Sequence, residues 1–201
     1  MTINVVLRRP GRPREFVPDD VVRRAMDVFR AKGYTDTSLT DLMDGTGLSR
    51  GSIYKAFGDK RGLFLAALDV YMADNIAQLD RNLAAIPGTA GIRAALAVMA
   101  GACALDAGRL GCMVVASTTE LAAKDDEVLV RLSRTFERLR QLLEQAIMIA
   151  QTIGDISPHK DPRALSRFLL CTIEGMSVLG KTGRSHEEMI EIVDVAMTAL
   201  D

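Results

Sequence analysis

The chain has 201 residues, 48% of them apolar and only 4% aromatic, with no Trp and a formal charge of −1. That length suits one or two small domains with a real core, and abundant Ala, Leu, Val and Met favour an all-α protein over a sheet. The near-zero charge is uneven: residues 1–60 hold eleven Lys/Arg against eight Asp/Glu, and residues 61–201 hold fourteen against eighteen, which suits a basic reader of nucleic acid joined to an acidic module with another task.

Residues 1–16 are expected to form a flexible basic arm. In the run Arg8-Arg9-Pro10-Gly11-Arg12-Pro13-Arg14 the prolines and glycine bar a helix and the charges bar burial. Arg12 and Arg14 are placed to enter a minor groove, where narrow walls concentrate negative potential. A DNA-reading domain is expected over 17–62. Its first helix spans Pro18 to Lys32, opened by a proline and two aspartates and closed by Lys32 and Gly33. Val22, Ala25, Met26 and Phe29 line its inner side.

Ser38 can cap a second, short helix, with Asp41 three residues on to answer the free N–H groups. Leu39, Leu42, Met43 and Thr46 share one face, and Gly47 stops the helix. Gly45 inside it costs on the order of 1 kcal/mol relative to alanine. Ser49 can cap a third helix that turns Ile53 and Phe57 inward and leaves Arg50, Gly51, Ser52, Tyr54 and Lys55 outside. Two helices joined through a glycine turn, the second outwardly basic and polar, describe a helix-turn-helix whose second helix enters a major groove. Arg50, Ser52 and Lys55 are the candidates for base edges, Ser38, Thr40, Ser49, Tyr54 and Lys60 for phosphates, and Gly51 permits close approach.

The stretches Ser-Leu-Thr-Asp-Leu from Ser38, Gly-Leu-Ser-Arg-Gly-Ser-Ile-Tyr-Lys-Ala-Phe from Gly47 and Asp-Lys-Arg-Gly-Leu from Asp59 resemble the DNA-binding signature of the TetR family of transcriptional repressors. The resemblance runs from about Val17 to Leu68. Its order of Gly51, Ser52, an apolar residue, Tyr54, Phe57 and Lys60 is far more specific than a generic helix-turn-helix, while Gly45 departs from the alanine such proteins commonly carry. It implies an N-terminal three-helix DNA-binding domain followed by a C-terminal helical ligand-binding and dimerisation domain.

That second domain is expected over 63–201, giving about nine helices in all. A fourth helix from near Asp59 to about Leu83 joins the two halves. A fifth should run from about Ala90 to Asp106, a sixth from Gly111-Cys112 to near Ala123, and a seventh from Asp125 to about Ala150. Asp161-Pro162 starts an eighth, and Ser185 with Glu188 forms a capping box for a ninth. The last two helices are apolar on more than one face. A homodimer is therefore expected in which they pair with their twins through Leu165, Leu169, Ile173, Leu179, Ile190, Val193 and Met197.

A pocket is expected among helices four to eight, with Met99, Cys103, Met113, Phe136, Leu139, Phe168, Cys171 and Met176 as candidate walls for an apolar or weakly polar effector. Binding there would release a palindromic operator. The alternatives are a constitutive regulator whose C-terminal half only dimerises, or a thiol-responsive one sensing through Cys112, whose place near a helix start would lower its pKa. Three widely spaced cysteines suit a reducing compartment and form neither a disulfide framework nor, with His159 and His186 distant from them, a metal pattern. No cofactor is expected, and no nucleophile triad, phosphate loop or Glu-x-x-His pattern points to an enzyme. With no apolar run of membrane-spanning length and no signal-peptide core, the expected location is the cytoplasm.

Overall fold

The computed structural model describes residues 18–201, so the expected arm with Arg12 and Arg14 lies outside the described residues. Among these there are nine α-helices and no strand: α1 (Pro18–Lys32), α2 (Leu39–Thr46), α3 (Arg50–Phe57), α4 (Lys60–Ala85), α5 (Gly88–Ala104), α6 (Met113–Leu121), α7 (Asp126–Thr152), α8 (Pro162–Gly180) and α9 (His186–Met197). A short 3-10 helix, Asp106–Leu110, fills the link before α6.

The helix starts follow from local side-chain chemistry. Ser38 and Asp41 form a reciprocal capping box at α2, and Ser185 and Glu188 repeat it at α9. Asp59 accepts from the Gly62 amide at 2.7 Å to open α4, and Asp125 accepts from the Glu127 and Val128 amides to open α7. Each such cap is worth about 1 kcal/mol. Gly47 ends α2 at φ 73°, a left-handed conformation that a β-carbon disfavours.

Two apolar cores lie along the molecule. The first gathers Ala25 and Phe29 of α1, Leu42 of α2, Ile53 of α3 and Leu63, Phe64 and Leu68 of α4, all buried. Phe29 meets Phe64 edge-on with ring centroids 5.2 Å apart, and Tyr34 leans on Phe64 at 4.7 Å. Met113, Val114 and Leu121 of α6 and Val128 and Leu132 of α7 belong to the same cluster. The reader's core therefore continues past residue 62 into later helices. The second core joins α5, α7, α8 and α9, with Leu79 of α4 at its edge.

This packing divides the residues expected at the dimer face. Leu169, Ile173 and Val193 are buried inside the subunit, and Leu165, Ile190 and Met197 are half-buried against the same core. Of the seven residues expected there, Leu179 alone stands exposed, and the other large apolar side chains left outside on α8 and α9 are Phe168, Val178 and Val195. Both helices are apolar on two sides, so periodicity could not say which side the subunit itself would cover.

Gly45 also has a different meaning from the one its helix propensity suggests. A β-carbon there would sit 2.4 Å from Cγ2 of Val28, so glycine lets α1 and α2 approach closely. Gly45→Ala is therefore expected to lower the melting temperature despite alanine's higher propensity, and adding Val28→Ala should recover part of the loss. Thermal unfolding of the single and double variants measures that coupling.

Candidate nucleic-acid interface and inner cavity

An eight-residue helix has too few internal hydrogen bonds to persist alone, so α3 is fixed by its ends and its inner side. Ser49 Oγ accepts from the Ser52 amide at 3.2 Å and lies 2.9 Å from Ser52 Oγ. Ile53 is fully buried, and Phe57 is half-buried on the same side. Arg50, Gly51, Tyr54 and Lys55 are exposed, and the Arg50 guanidinium lies over the Tyr54 ring, 5.6 Å from its centroid. A β-carbon at Gly51 would meet nothing within 4 Å. Nothing inside the subunit requires glycine there.

The remaining candidates separate by how they are engaged. Thr40 is exposed on α2. Ser38 is committed to the cap, its hydroxyl donating to Asp41 at 2.8 Å while accepting the Asp41 amide. Lys60 donates to the Thr35 carbonyl at 3.3 Å and sits 4.4 Å from the centre of the Tyr34 ring. Lys60 thus ties the turn after α1 to the start of α4.

A cavity of about 140 Å³, partly open to solvent, is lined by α4, α5, α7, α8, the segment before α6 and Arg30 of α1. Of the expected wall residues, Met99, Cys103 and Leu139 line it, joined by Ile173, which the sequence had suggested for the dimer face. Met113 and Phe136 belong instead to the first core and Met176 to the second, while Phe168 and Cys171 point outward from α8. A helical stripe supplies candidates without showing how far the helix is rotated.

The walls are more polar than expected. Arg30, Tyr71, Asn75, Gln78, Asn82, Cys112, Glu174 and Ser177 all reach the cavity. Asn75, Gln78 and Asn82 stand three and four residues apart on α4, a polar stripe visible in the sequence, and Glu174 is a lone carboxylate in an apolar run of α8. Burial pushes the Glu174 carboxyl up to about 7. Burial likewise raises Tyr71, with Cys112 adding to the effect. It also raises Cys112, reinforced by nearby Glu174 and only partly offset by the Val115 and Val114 amides. The helix start does not give Cys112 the low pKa that the thiol-responsive alternative needs, because desolvation of the charged form dominates.

Polar links fasten the reader to this body, among them Arg23 of α1, which donates to Asp74 of α4 at 2.6 Å. Arg30 Nε donates to the Gly111 carbonyl at 3.0 Å, beside the cavity. Glu120, near the far end of α6, accepts from the Tyr34 amide at 2.9 Å and from the Thr35 amide. Arg61 forks onto Asp125 at 3.0–3.1 Å and reaches Glu127 at 2.7 Å. Helix α6 therefore starts at the cavity, through Cys112, and ends on the turn before α2.

Two family models match the chain. One, described as bacterial regulatory proteins of the tetR family, covers residues 21–67, and the other, the tetracyclin repressor-like C-terminal domain, covers 88–195. The chain is 30% identical over 196 residues to the HTH-type transcriptional repressor ComR of Escherichia coli K12, covering 96% of this chain and 92% of that protein. It is 32% identical over 198 residues to the HTH-type transcriptional regulator YezE of Bacillus subtilis 168, covering 95% and 100%. Among solved structures, a cysteine mutant of the regulator CifR bound to 26-base-pair operator DNA matches with TM-score 0.85 and 28% identity. That match covers 94% of this chain and all of the other.

The carboxyl of Glu174 makes a stability prediction. Its folded value of about 7 lies above the ordinary 4.5, so the folded chain holds a proton that the unfolded chain has released. Stability should fall as pH rises from about 4.5 to about 7, by as much as about 3 kcal/mol. Glu174→Gln should remove that part of the slope in urea unfolding measured across the range.

Proposed function

The chain belongs to the TetR family of bacterial regulatory proteins, and on that premise we propose that it works as a cytoplasmic homodimer that holds a palindromic operator and leaves it when a small molecule fills the inner cavity. Like the repressors it resembles, it is a DNA-binding transcription regulator and not an enzyme. The observation that carries the reading is the outer row of α3. Arg50, Tyr54 and Lys55 are exposed there around a glycine that the fold does not need.

In this reading Arg50 and Lys55 address base edges, with guanine their best partner. Ser52 is the third candidate, although its hydroxyl also faces the cap. Thr40, Ser49 and Tyr54 fix the helix against phosphates, which set register without specifying sequence. Lys60 acts mainly by bracing the turn at Thr35, and Ser38 by capping α2. A single eight-residue helix covers too few base pairs for useful affinity. Two copies about 34–36 Å apart would read successive major grooves on one side of the duplex. The exposed Phe168, Val178, Leu179 and Val195 support pairing through α8 and α9.

Release follows from the placement of α6. A molecule that binds one arrangement of the cavity better than another shifts the population toward it. Movement at Gly111 and Cys112 acts on α1 through Arg30, and the same helix acts at its other end on the turn before α2 through Glu120. The reader domains then tilt and the two α3 helices no longer match successive grooves. A sealed helical body would have favoured a constitutive regulator, and the cavity favours effector control. Raised thiols at Cys103 and Cys112 weigh against sensing through a reactive thiolate.

Two measurements test this. With a duplex selected from a random DNA pool, Tyr54→Ala combined with Lys55→Ala should weaken binding at least about tenfold in a mobility-shift titration, through lost phosphate and base contacts. Unchanged affinity would refute the assignment of α3. Phe168→Asp with Val195→Asp should sediment as a monomer and lose the operator while keeping its helical content.

A further inference from the structure

Among the described residues, two buried side-chain polar atoms have no hydrogen-bond partner: Nδ2 of Asn82 and Oε2 of Glu174. Both residues line the inner cavity, one from α4 and the other from α8. Buried polar groups are paired in the great majority of folded proteins, and an orphan is costly enough to need an explanation. Finding both orphans on the wall of a single cavity explains them together, as groups awaiting a partner from outside the chain.

Their chemistry defines that partner. An amide Nδ2 can only donate, so it faces an acceptor on the ligand. A carboxylate accepts, and it favours a nitrogen donor, most of all a cationic one, because a charge-assisted hydrogen bond is roughly twice as strong as a neutral one. The surroundings of Glu174 reinforce this choice. Burial holds the Cys103 and Cys112 thiols neutral, so they offer an anion no counter-charge, and Glu174 once ionised repels one. Tyr71 is kept neutral by its burial. Arg30, at the edge nearest α1, is engaged with the Gly111 carbonyl. The remaining wall, including Met99, Leu139, Leu170 and Ile173, suits a compact apolar body.

We infer that the cavity binds a small organic amine or amide, its nitrogen donating to Glu174 and an acceptor atom, where it has one, receiving Asn82, and that it discriminates against carboxylates of the same shape. This inference rests on the effector-control reading and adds the effector's chemical class. It replaces the apolar or weakly polar effector that the sequence suggested. It also places recognition on α4 and α8, while α6 at the same cavity carries the response.

Three probes with a common ring test it: benzylamine, benzamide and benzoate, each titrated into the full-length protein by calorimetry and by thermal shift. Benzylamine and benzamide should bind and raise the melting temperature, and benzoate should do neither. Glu174→Gln should weaken benzylamine about tenfold or more by removing the charge-assisted bond, and its own melting without ligand reports that it is folded. Asn82→Ala should weaken benzamide more than benzylamine. Equal binding of benzoate, no binding of either nitrogen probe, or full benzylamine affinity in Glu174→Gln would overturn the inference. Operator release is read separately by mobility shift. Binding of the nitrogen probes without release would leave this assignment standing and refute effector control, whereas release that does not depend on Glu174 would do the reverse.

Discussion

The burial of Ile53 is the constraint on which the rest depends. Helix α3 is eight residues long and cannot nucleate or persist by itself. Its inner side is sealed against the first core, its start is tied by Ser49, and its end is turned into α4 at Gly58 and Asp59. Every exposed group on the outer side takes its direction from that seal. A polar residue at 53 would leave the outer chemistry intact in composition and scatter it in space.

The same core extends to α6 and α7, which makes the reader part of a larger cooperative unit. Leu63, Phe64 and Leu68 of α4 pack with Met113, Val114 and Leu121 of α6, while Leu79 further along α4 enters the second core. Close-packed interiors respond to a push by switching between arrangements, since side chains compress little. The cavity touches both cores and the Arg30–Gly111 tie, so in the proposed function a small addition of volume and hydrogen bonds there acts on the reader through α1 and α6.

Much of this was legible in the sequence because it is local. Caps such as Ser38 with Asp41, Asp59, Asp161 and Ser185 with Glu188 act within a single turn, and they located the helix starts to within a residue or two. The outer row of α3 was equally plain, because a short amphipathic helix has only one way to hide Ile53. The rotation of long helices was not. Ile173 and Leu169 lie on α8 with Phe168 and Leu179, all apolar, and only the packing of α5 and α7 decides which face inward. The 3-10 helix at Asp106–Leu110 carries no strong local signal of its own. Glu174 carries no motif, and its isolation in an apolar stretch of α8 is the only local sign of its place on the cavity wall.

The open space around Gly51 has a consequence for how this regulator changes over generations. Residues 50, 51, 54 and 55 carry almost no packing duty, so alterations there leave the seal at Ile53 untouched. In the proposed reading of α3, preference for a DNA sequence and robustness of the fold are set by different side chains. On that reading, substitutions at 50, 54 and 55 retune the outer surface of α3 while the fold keeps its stability.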